Sequence, residues 1–233
     1  MRMVGWRNVM IVLVTGGSGS GKSEYAEQLV MRFGDCRRFY VATMEVFGEE
    51  GREKVLRHKR LRRGKGFVTL ERQRNVGGLE LHGTGERAVL LECVSNLAAN
   101  EMFGGGETEE AGQGGQELQI NRAEQESQEK DISPPQADQL ADRIFGGICR
   151  LSRQADHMVI VTNEVGADGT AYDPSTMEYI RLMGLLNQRL ARMADRVVEV
   201  VYGIPVVLKN SNARKDLAND FSCIARKSLK DRL

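Results

Sequence analysis

The chain has almost no net charge: 33 Lys and Arg stand against 32 Asp and Glu over 233 residues, for +1 at pH 7. No global field therefore argues for nucleic acid or an anionic membrane surface as a partner. Long apolar runs are missing too, and none approaches the roughly 20 residues that a membrane span needs. Cysteine is scarce and scattered: Cys36, Cys93, Cys149 and Cys223 form no C-x-x-C pair, and no histidine clusters near them. This excludes a disulfide framework and a zinc site, and predicts a reduced, cytoplasmic chain. Cys93 falls in a strand pattern and is expected in the core. The apolar stretch that follows Arg2 and Arg7 is read as the first strand and not as a signal peptide, with residues 1–9 an extension ahead of Met10.

What the chain does have is 41% hydrophobic residues, enough for one full core. It also has one motif of high information. Residues 10–14 are a continuous β-rich apolar run, leading into Thr15-Gly16-Gly17-Ser18-Gly19-Ser20-Gly21-Lys22-Ser23. This is the phosphate-binding loop pattern G-x-x-x-x-G-K-[ST]. Its glycines permit backbone conformations closed to other residues, so successive N–H groups can turn inward around an anion. A helix starting near Lys22 adds its positive end. Lys22 is expected to reach the β and γ phosphates and Ser23 to ligate Mg²⁺. The flanks agree: Tyr25, Leu29 and Phe33, with Ala26 and Val30 beside them, lie on one helical face after the loop.

Farther along, residues 38–43 read as a second strand, 68–71 as a short one, and 88–93 as a strong buried one followed by a helix over 94–103. Residues 104–139 are rich in Gly, Gln and Glu and carry Pro134-Pro135. Such a segment cannot bury enough surface to offset its ordering entropy, and it predicts a flexible acidic insertion within one domain over 10–209. A helix over 140–155, a buried strand over 158–162 and a helix with the stripe Tyr179, Leu182, Met183, Leu186, Leu190 and Met193 follow. Residues 196–202 and 205–209, joined at Gly203, predict an edge hairpin, with a polar tail over 210–233. The alternation predicts an α/β, P-loop NTPase (RecA-like) three-layer fold with a mostly parallel sheet and ligands at the strands' carboxyl ends.

Two further places carry chemistry. Glu92 ends a buried strand, where an acid in this fold class usually holds Mg²⁺, directly or through water; the other reading is a carboxylate paired with a surface cation. From Arg52 to Arg74 ten Lys and Arg stand against Glu53 and Glu71, around Arg57-His58-Lys59-Arg60-Leu61-Arg62. One reading is a solvated Arg-rich helix. Another is a nucleic-acid patch, although only Phe67 supplies an aromatic. A third makes His58 a nucleophile: flanking cations lower an imidazole's pKa and would neutralise a transferring phosphate. Asn163-Glu164 ends the next strand and faces the expected crevice, as ligand groups or as a structural cap.

Together these blocks resemble the bifunctional adenosylcobinamide kinase/adenosylcobinamide-phosphate guanylyltransferases of cobalamin biosynthesis. The phosphate loop alone is generic. The blocks also include Leu90-Leu91-Glu92-Cys93 with Asn96, Ala194-Asp195 and Gly203-Ile204-Pro205; the specific signal is the basic segment with His58, the Asn163-Glu164-Val165 block and the helix with Asn187-Gln188-Arg189-Leu190-Ala191. The resemblance implies a kinase step with ATP or GTP on the aminopropanol hydroxyl of adenosylcobinamide. It then implies GMP transfer from GTP through a guanylylated His58, with Mg²⁺ as cofactor. Catalytic roles fall on His58 and Lys22. Nucleotide contacts fall on Gly16, Gly17, Ser18, Gly19, Ser20, Gly21, Lys22, Ser23, Thr43, Met44, Glu45, Lys59, Arg60, Leu61, Arg62, Glu71 and Glu92, and metal contacts on Ser23 and Glu92. A homo-oligomer, generally a trimer, is implied as well. The chain departs from the family in a longer, more acidic stretch over 166–174, a candidate substrate lid, and in the insertion over 104–139. Two alternatives are a simple P-loop kinase of a small metabolite, which needs no histidine, and a nucleotide-gated protein gripping RNA or an acidic partner. The Asn/Thr-Lys-x-Asp signature of regulatory GTPases is missing, so guanine preference rests on the resemblance alone.

Overall fold

Seven strands form one sheet in the order β3-β2-β4-β5-β1-β6-β7. The structure is a computed structural model and describes residues 10–45, 56, 60, 62–104, 134–166 and 168–211. The strands are β1 (Met10–Thr15), β2 (Arg37–Ala42), β3 (Phe67–Glu71), β4 (Arg87–Glu92), β5 (His157–Val161), β6 (Arg196–Val201) and β7 (Ile204–Asn210). All neighbours pair in parallel except β6 and β7, which are antiparallel. The helices are α1 (Lys22–Met31), α2 (Val94–Phe103), α3 (Pro134–Ser152) and α4 (Pro174–Met193).

The period of two along each strand divides the core into two layers. Val12, Val14, Ala88, Leu90, Val159 and Val161 pack with Ala26, Leu29 and Val30 of α1. The alternate residues Leu13, Val89, Leu91, Met158 and Ile160 pack with α2, α3 and α4 on the other face. Parallel strands covered on both faces read as unbroken apolar runs, which is why β1, β4 and β5 were legible. The α4 stripe is core as expected, with Leu182, Met183, Leu186 and Leu190 fully buried.

Helix α3 begins at Pro134, six residues before the expected start at Leu140 and inside the stretch read as insertion. Proline lacks an N–H, but the first helical turn has no partner for that donor, so the Pro134-Pro135 pair starts the helix and does not break it. Ala137 and Ala141 are then buried. Residues 105–133 lie outside the described residues.

The predicted edge hairpin is present. Tyr202 (φ 51°) and Gly203 (φ 80°) make its two-residue turn, the pair of positive φ values that matches strand twist in tight hairpins. Lys209 Nζ then donates to the carbonyls of Ala191, Arg192 and Ala194 at 2.9, 3.0 and 2.6 Å. A cation there satisfies orphan acceptors at the end of α4 and meets the negative pole of the helix. Asp195 Oδ2 accepts from Ile11 N at 2.8 Å, which ties the turn after α4 to the strand that leads into the phosphate loop.

Leu186→Ala should lower unfolding free energy by about 2–5 kcal/mol, the range for an emptied core leucine. Urea denaturation checks this, and a loss under about 1 kcal/mol would contradict such packing.

Candidate nucleotide and metal site

The parallel register brings the carboxyl ends of five strands level. Ala42 pairs with both Glu71 and Glu92, Glu92 pairs with Val161, and Val161 pairs with Val14. The chain leaves this edge as the loop over residues 16–21, and α1 begins at Lys22.

Two loop glycines are required by geometry. Gly16 has φ 147°, and a Cβ there would stand 2.5 Å from Val200 O and 2.8 Å from Ser20 Oγ. Gly21, at φ 92°, is the left-handed residue that starts α1. Lys22 folds back so that its Nζ donates to Gly17 O at 2.8 Å. It is buried, and burial pushes its pKa down, while the neighbouring Cys93 and Glu92 act to raise it. A phosphate would add counter-charge at this ammonium. The Ser20 carbonyl accepts from Gly203 N at 2.8 Å, so the turn of the edge hairpin braces the phosphate loop. That contact had no signal in the sequence, because it joins segments far apart along the chain.

Across the crevice Ser23 Oγ donates to Glu92 Oε1 at 2.5 Å. Glu92 Oε2 is buried and has no hydrogen-bond partner among the described residues. Burial raises the Glu92 pKa from the usual 4.5 to about 7; the Ser23 hydrogen bond lowers it, Glu27 raises it, and Lys22 and Arg62 lower it. A buried carboxylate with an idle oxygen beside a serine hydroxyl is the donor set that Mg²⁺ accepts, since this ion keeps several waters and takes one or two carboxylates plus phosphates. The expected pair Ser23 and Glu92 therefore fits the ion. Among the described residues no three His, Cys, Asp or Glu side chains are grouped to hold a metal by themselves.

The remaining expected residues fall into three groups. Thr43 is fully buried; its hydroxyl donates to Cys93 O at 2.7 Å and accepts from Cys93 N at 2.8 Å. Both hydrogen bonds brace the strand end that carries Glu92. Met44 is half-buried and Glu45 pairs with Arg74 at 3.3 Å, while Glu71 ends β3 at the same edge. Arg62 is buried with its guanidinium 3.5 Å from the centroid of the Tyr40 ring, a cation–π contact, and Arg60 is exposed on helical backbone. His58, Lys59 and Leu61 lie outside the described residues.

Asn163 does more than cap. Its Nδ2 donates to Ser95 Oγ at 2.5 Å, Ser95 Oγ lies 2.9 Å from Cys93 Sγ, and Asn187 Nδ2 donates to Asn163 O at 3.1 Å. Thr162 Oγ1 donates to Asn187 Oδ1 at 2.7 Å and Tyr179 OH to Ser95 O at 3.0 Å. The network joins β4, β5, α2 and α4 behind the crevice, and Glu164 is left exposed at its rim. Ser95 and Tyr179 escaped the sequence reading: Tyr179 registers there only as part of an apolar stripe, and its hydroxyl role appears once α2 is placed.

A family model described as "Cobinamide kinase / cobinamide phosphate guanyltransferase" matches residues 12–208. Two curated relatives, both called "Bifunctional adenosylcobalamin biosynthesis protein CobU", are similar to most of the chain. The one from Salmonella typhimurium (strain LT2) is 32% identical over 209 residues, covering 86% of this chain and 100% of the relative. The one from Escherichia coli (strain K12) is 30% identical over 203 residues, again covering 86% and 100%. Among solved structures, the flagellar accessory protein FlaH from Methanocaldococcus jannaschii aligns at TM-score 0.38 with 12% identity, over 86% of this chain and 78% of that one, too slight a likeness to add to the sheet topology.

The burial of Glu92 has a measurable sign. A carboxyl whose folded pKa lies above its unfolded value favours folding below about 4.5, and that advantage is lost as pH rises through about 7. Without Mg²⁺, wild type should therefore lose stability relative to Glu92→Gln across this window, by on the order of 3 kcal/mol at most. Thermal melts at stepped pH check this. Parallel curves for the two proteins would show that desolvation does not govern this carboxyl.

Proposed function

Because this chain belongs to the cobinamide kinase/cobinamide phosphate guanyltransferase family, we infer that it is the bifunctional enzyme that phosphorylates adenosylcobinamide and then transfers GMP to the new phosphate, in cobalamin biosynthesis. The observation that carries the reading onto this site is the Lys22, Ser23 and Glu92 constellation at the head of α1 and the end of β4.

In the first step the hydroxyl oxygen of the aminopropanol arm attacks the γ-phosphorus of a nucleoside triphosphate. A new O–P bond forms, the bond to the β-bridging oxygen breaks, the nucleoside diphosphate leaves, and the hydroxyl proton passes to solvent. The loop over 16–21 cradles the phosphates with backbone N–H groups. Lys22 releases Gly17 O and turns its ammonium to the transferring group. Ser23 and Glu92 would hold Mg²⁺, which supplies charge neutralisation for the phosphate oxygens. Because Glu92 is protonated more readily than a free glutamate, this grip should weaken on acidification below about 7.

In the second step we assign the nucleophile to His58. A ring nitrogen attacks the α-phosphorus of GTP, pyrophosphate leaves, and a phosphoramidate joins GMP to the protein. An oxygen of the cobinamide phosphate then attacks the same phosphorus, the N–P bond breaks, and the imidazole is restored. Arg60 and the other cations of the segment neutralise the oxygens during both transfers. The remaining assigned contacts, Thr43, Met44, Glu45, Lys59, Leu61, Arg62 and Glu71, would surround the rest of the nucleotide.

We also propose a homo-oligomer. Its support is β7, the outermost strand among the described residues, where Ile204, Val206, Val207 and Leu208 are all exposed. Such an edge is a template for pairing with a second copy of the chain. No helix among the described residues is long and apolar enough to cross a membrane, and we place the enzyme in the cytoplasm.

With Mg²⁺ and GTP, intact-mass analysis should show a GMP increment on wild type and none on His58→Ala, which should keep the kinase step. Lys22→Ala should lose both. A wild type that never gains the increment would remove the transferase assignment from His58. Light scattering on Val207→Asp should show a smaller assembly than wild type, and an unchanged mass would exclude β7 as the interface.

A further inference from the structure

Helix α1, which starts at the phosphate loop, carries a charged side chain into the interior at Glu27, 0% exposed. Its Oε2 accepts from Lys65 Nζ at 2.7 Å, and the lysine side chain is 28% exposed. Its Oε1 is buried without a hydrogen-bond partner among the described residues. Neither residue belongs to the assigned nucleotide or metal set.

Lys65 stands in the turn that closes the basic segment. Arg63 N donates to Arg60 O and Lys65 N to Arg62 O, at 3.2 and 3.1 Å, and Gly64 and Gly66 take positive φ. Three residues before Lys65, the buried Arg62 lies over Tyr40 of β2. One residue past Gly66, Phe67 meets the same ring edge-on, with centroids 6.1 Å apart. The C-terminal end of the segment is thus fastened twice: to the central sheet by the Tyr40 contacts, and to α1 by the Glu27 ion pair.

Stability does not explain that ion pair. A well-packed apolar pair of similar volume usually serves as well as a buried salt bridge, or better. What a buried ion pair adds is direction, since its attraction is realised at one geometry and a slip leaves a charge uncompensated. Here that geometry relates two particular things. Glu27 lies four residues past Ser23 on a rigid helix, and Lys65 lies seven residues past His58. Among the described residues of the segment, Leu56, Arg60 and Arg62 have helical backbone, and Arg63 to Gly66 form the turn that holds Lys65.

We propose that Glu27 and Lys65 form a positioning clasp for nucleotidyl transfer, fixing the end of the basic segment to the helix that bears Lys22 and Ser23 and so setting where His58 meets the α-phosphate. The inference rests on the assignment of His58 above. The kinase step does not need the clasp, because Lys22, Ser23 and Glu92 are held by β1, α1 and β4. Glu27 also lies close enough to Glu92 to oppose its ionisation, so the test is built on Lys65.

The test compares the full-length Lys65→Met, Lys65→Arg, Glu27→Gln and Glu27→Gln/Lys65→Met proteins with wild type. The double variant removes both charges, so it keeps the comparison open where Lys65→Met alone fails to fold on its unpaired carboxylate. Three quantities are measured: the rate of GMP mass gain from Mg²⁺-GTP, kinase turnover and KM, and the melting temperature. Lys65→Met and the double variant should gain GMP at least about tenfold more slowly, because a displacement of about 1 Å can cost that much or more. Kinase turnover and KM of Lys65→Met should stay at wild-type values, those of the double variant should match Glu27→Gln alone, and Lys65→Arg should restore the GMP rate. A purely structural pair would instead give a double variant with wild-type melting and a wild-type GMP rate, or losses in both activities together beyond those of Glu27→Gln, and either result overturns the clasp. Absence of any GMP gain in wild type overturns the assignment of His58 and the clasp with it. Equal gain in wild type and variants sinks the clasp alone.

Discussion

Glu92 has been taken out of water at the end of an apolar strand, and much of the crevice is organised around the consequences. Burial drives its carboxyl toward the neutral form, while Ser23, Lys22 and Arg62 pull the other way. The balance leaves one oxygen engaged by a hydroxyl and the other idle. A buried carboxyl with one idle oxygen fits the proposed role of meeting a divalent cation that arrives with its triphosphate. The surrounding bonds serve to keep it in place. Thr43 clamps the next peptide unit from both sides, and Asn163 reaches Ser95 from the neighbouring strand.

The two half-reactions then ask different things of one loop. Phosphoryl transfer needs the γ-phosphorus at the lysine and the carboxylate, all of which sit on rigid elements of the central sheet. On the assignment proposed for His58, nucleotidyl transfer needs the α-phosphorus at a side chain carried by a separate basic segment. A single phosphate cradle can serve both because its contacts are backbone N–H groups and a point charge, which hold a polyphosphate without specifying which phosphorus is attacked. Selectivity between the steps must then come from whatever places the attacking group, which is where the segment's attachment to α1 and Tyr40 gains its interest.

The parts that were legible in the sequence are those whose signal is local. Gly16 to Ser23 reads as a phosphate loop because backbone freedom and helix polarity are set within that short span. The runs of β1, β4 and β5 read as buried strands because both faces are covered. Glu92 was legible as a strand-end acid, and its partnership with Ser23 follows from the fold class. What escaped depends on distant pairing. Ser20 and Gly203, Asn163 and Ser95, and Glu27 and Lys65 meet only after the sheet order is set, and a glutamate inside an α1 pattern looks like any solvated helix residue. The start of α3 at Pro134 was hidden for a different reason: the composition of 104–139 as a whole reads as insertion, and a proline pair that opens a helix carries no apolar period of its own.

The bond from Gly203 N to Ser20 O ties the outermost hairpin to the most central loop. Sheet margins ordinarily fray first, with little effect on what lies inside. Here loosening of the margin would release a carbonyl of the cradle itself, so β7 and the cradle share one opening equilibrium. A triphosphate that stiffens the cradle must therefore slow solvent exchange at amides of the hairpin, making the rim of the sheet a remote gauge of occupancy.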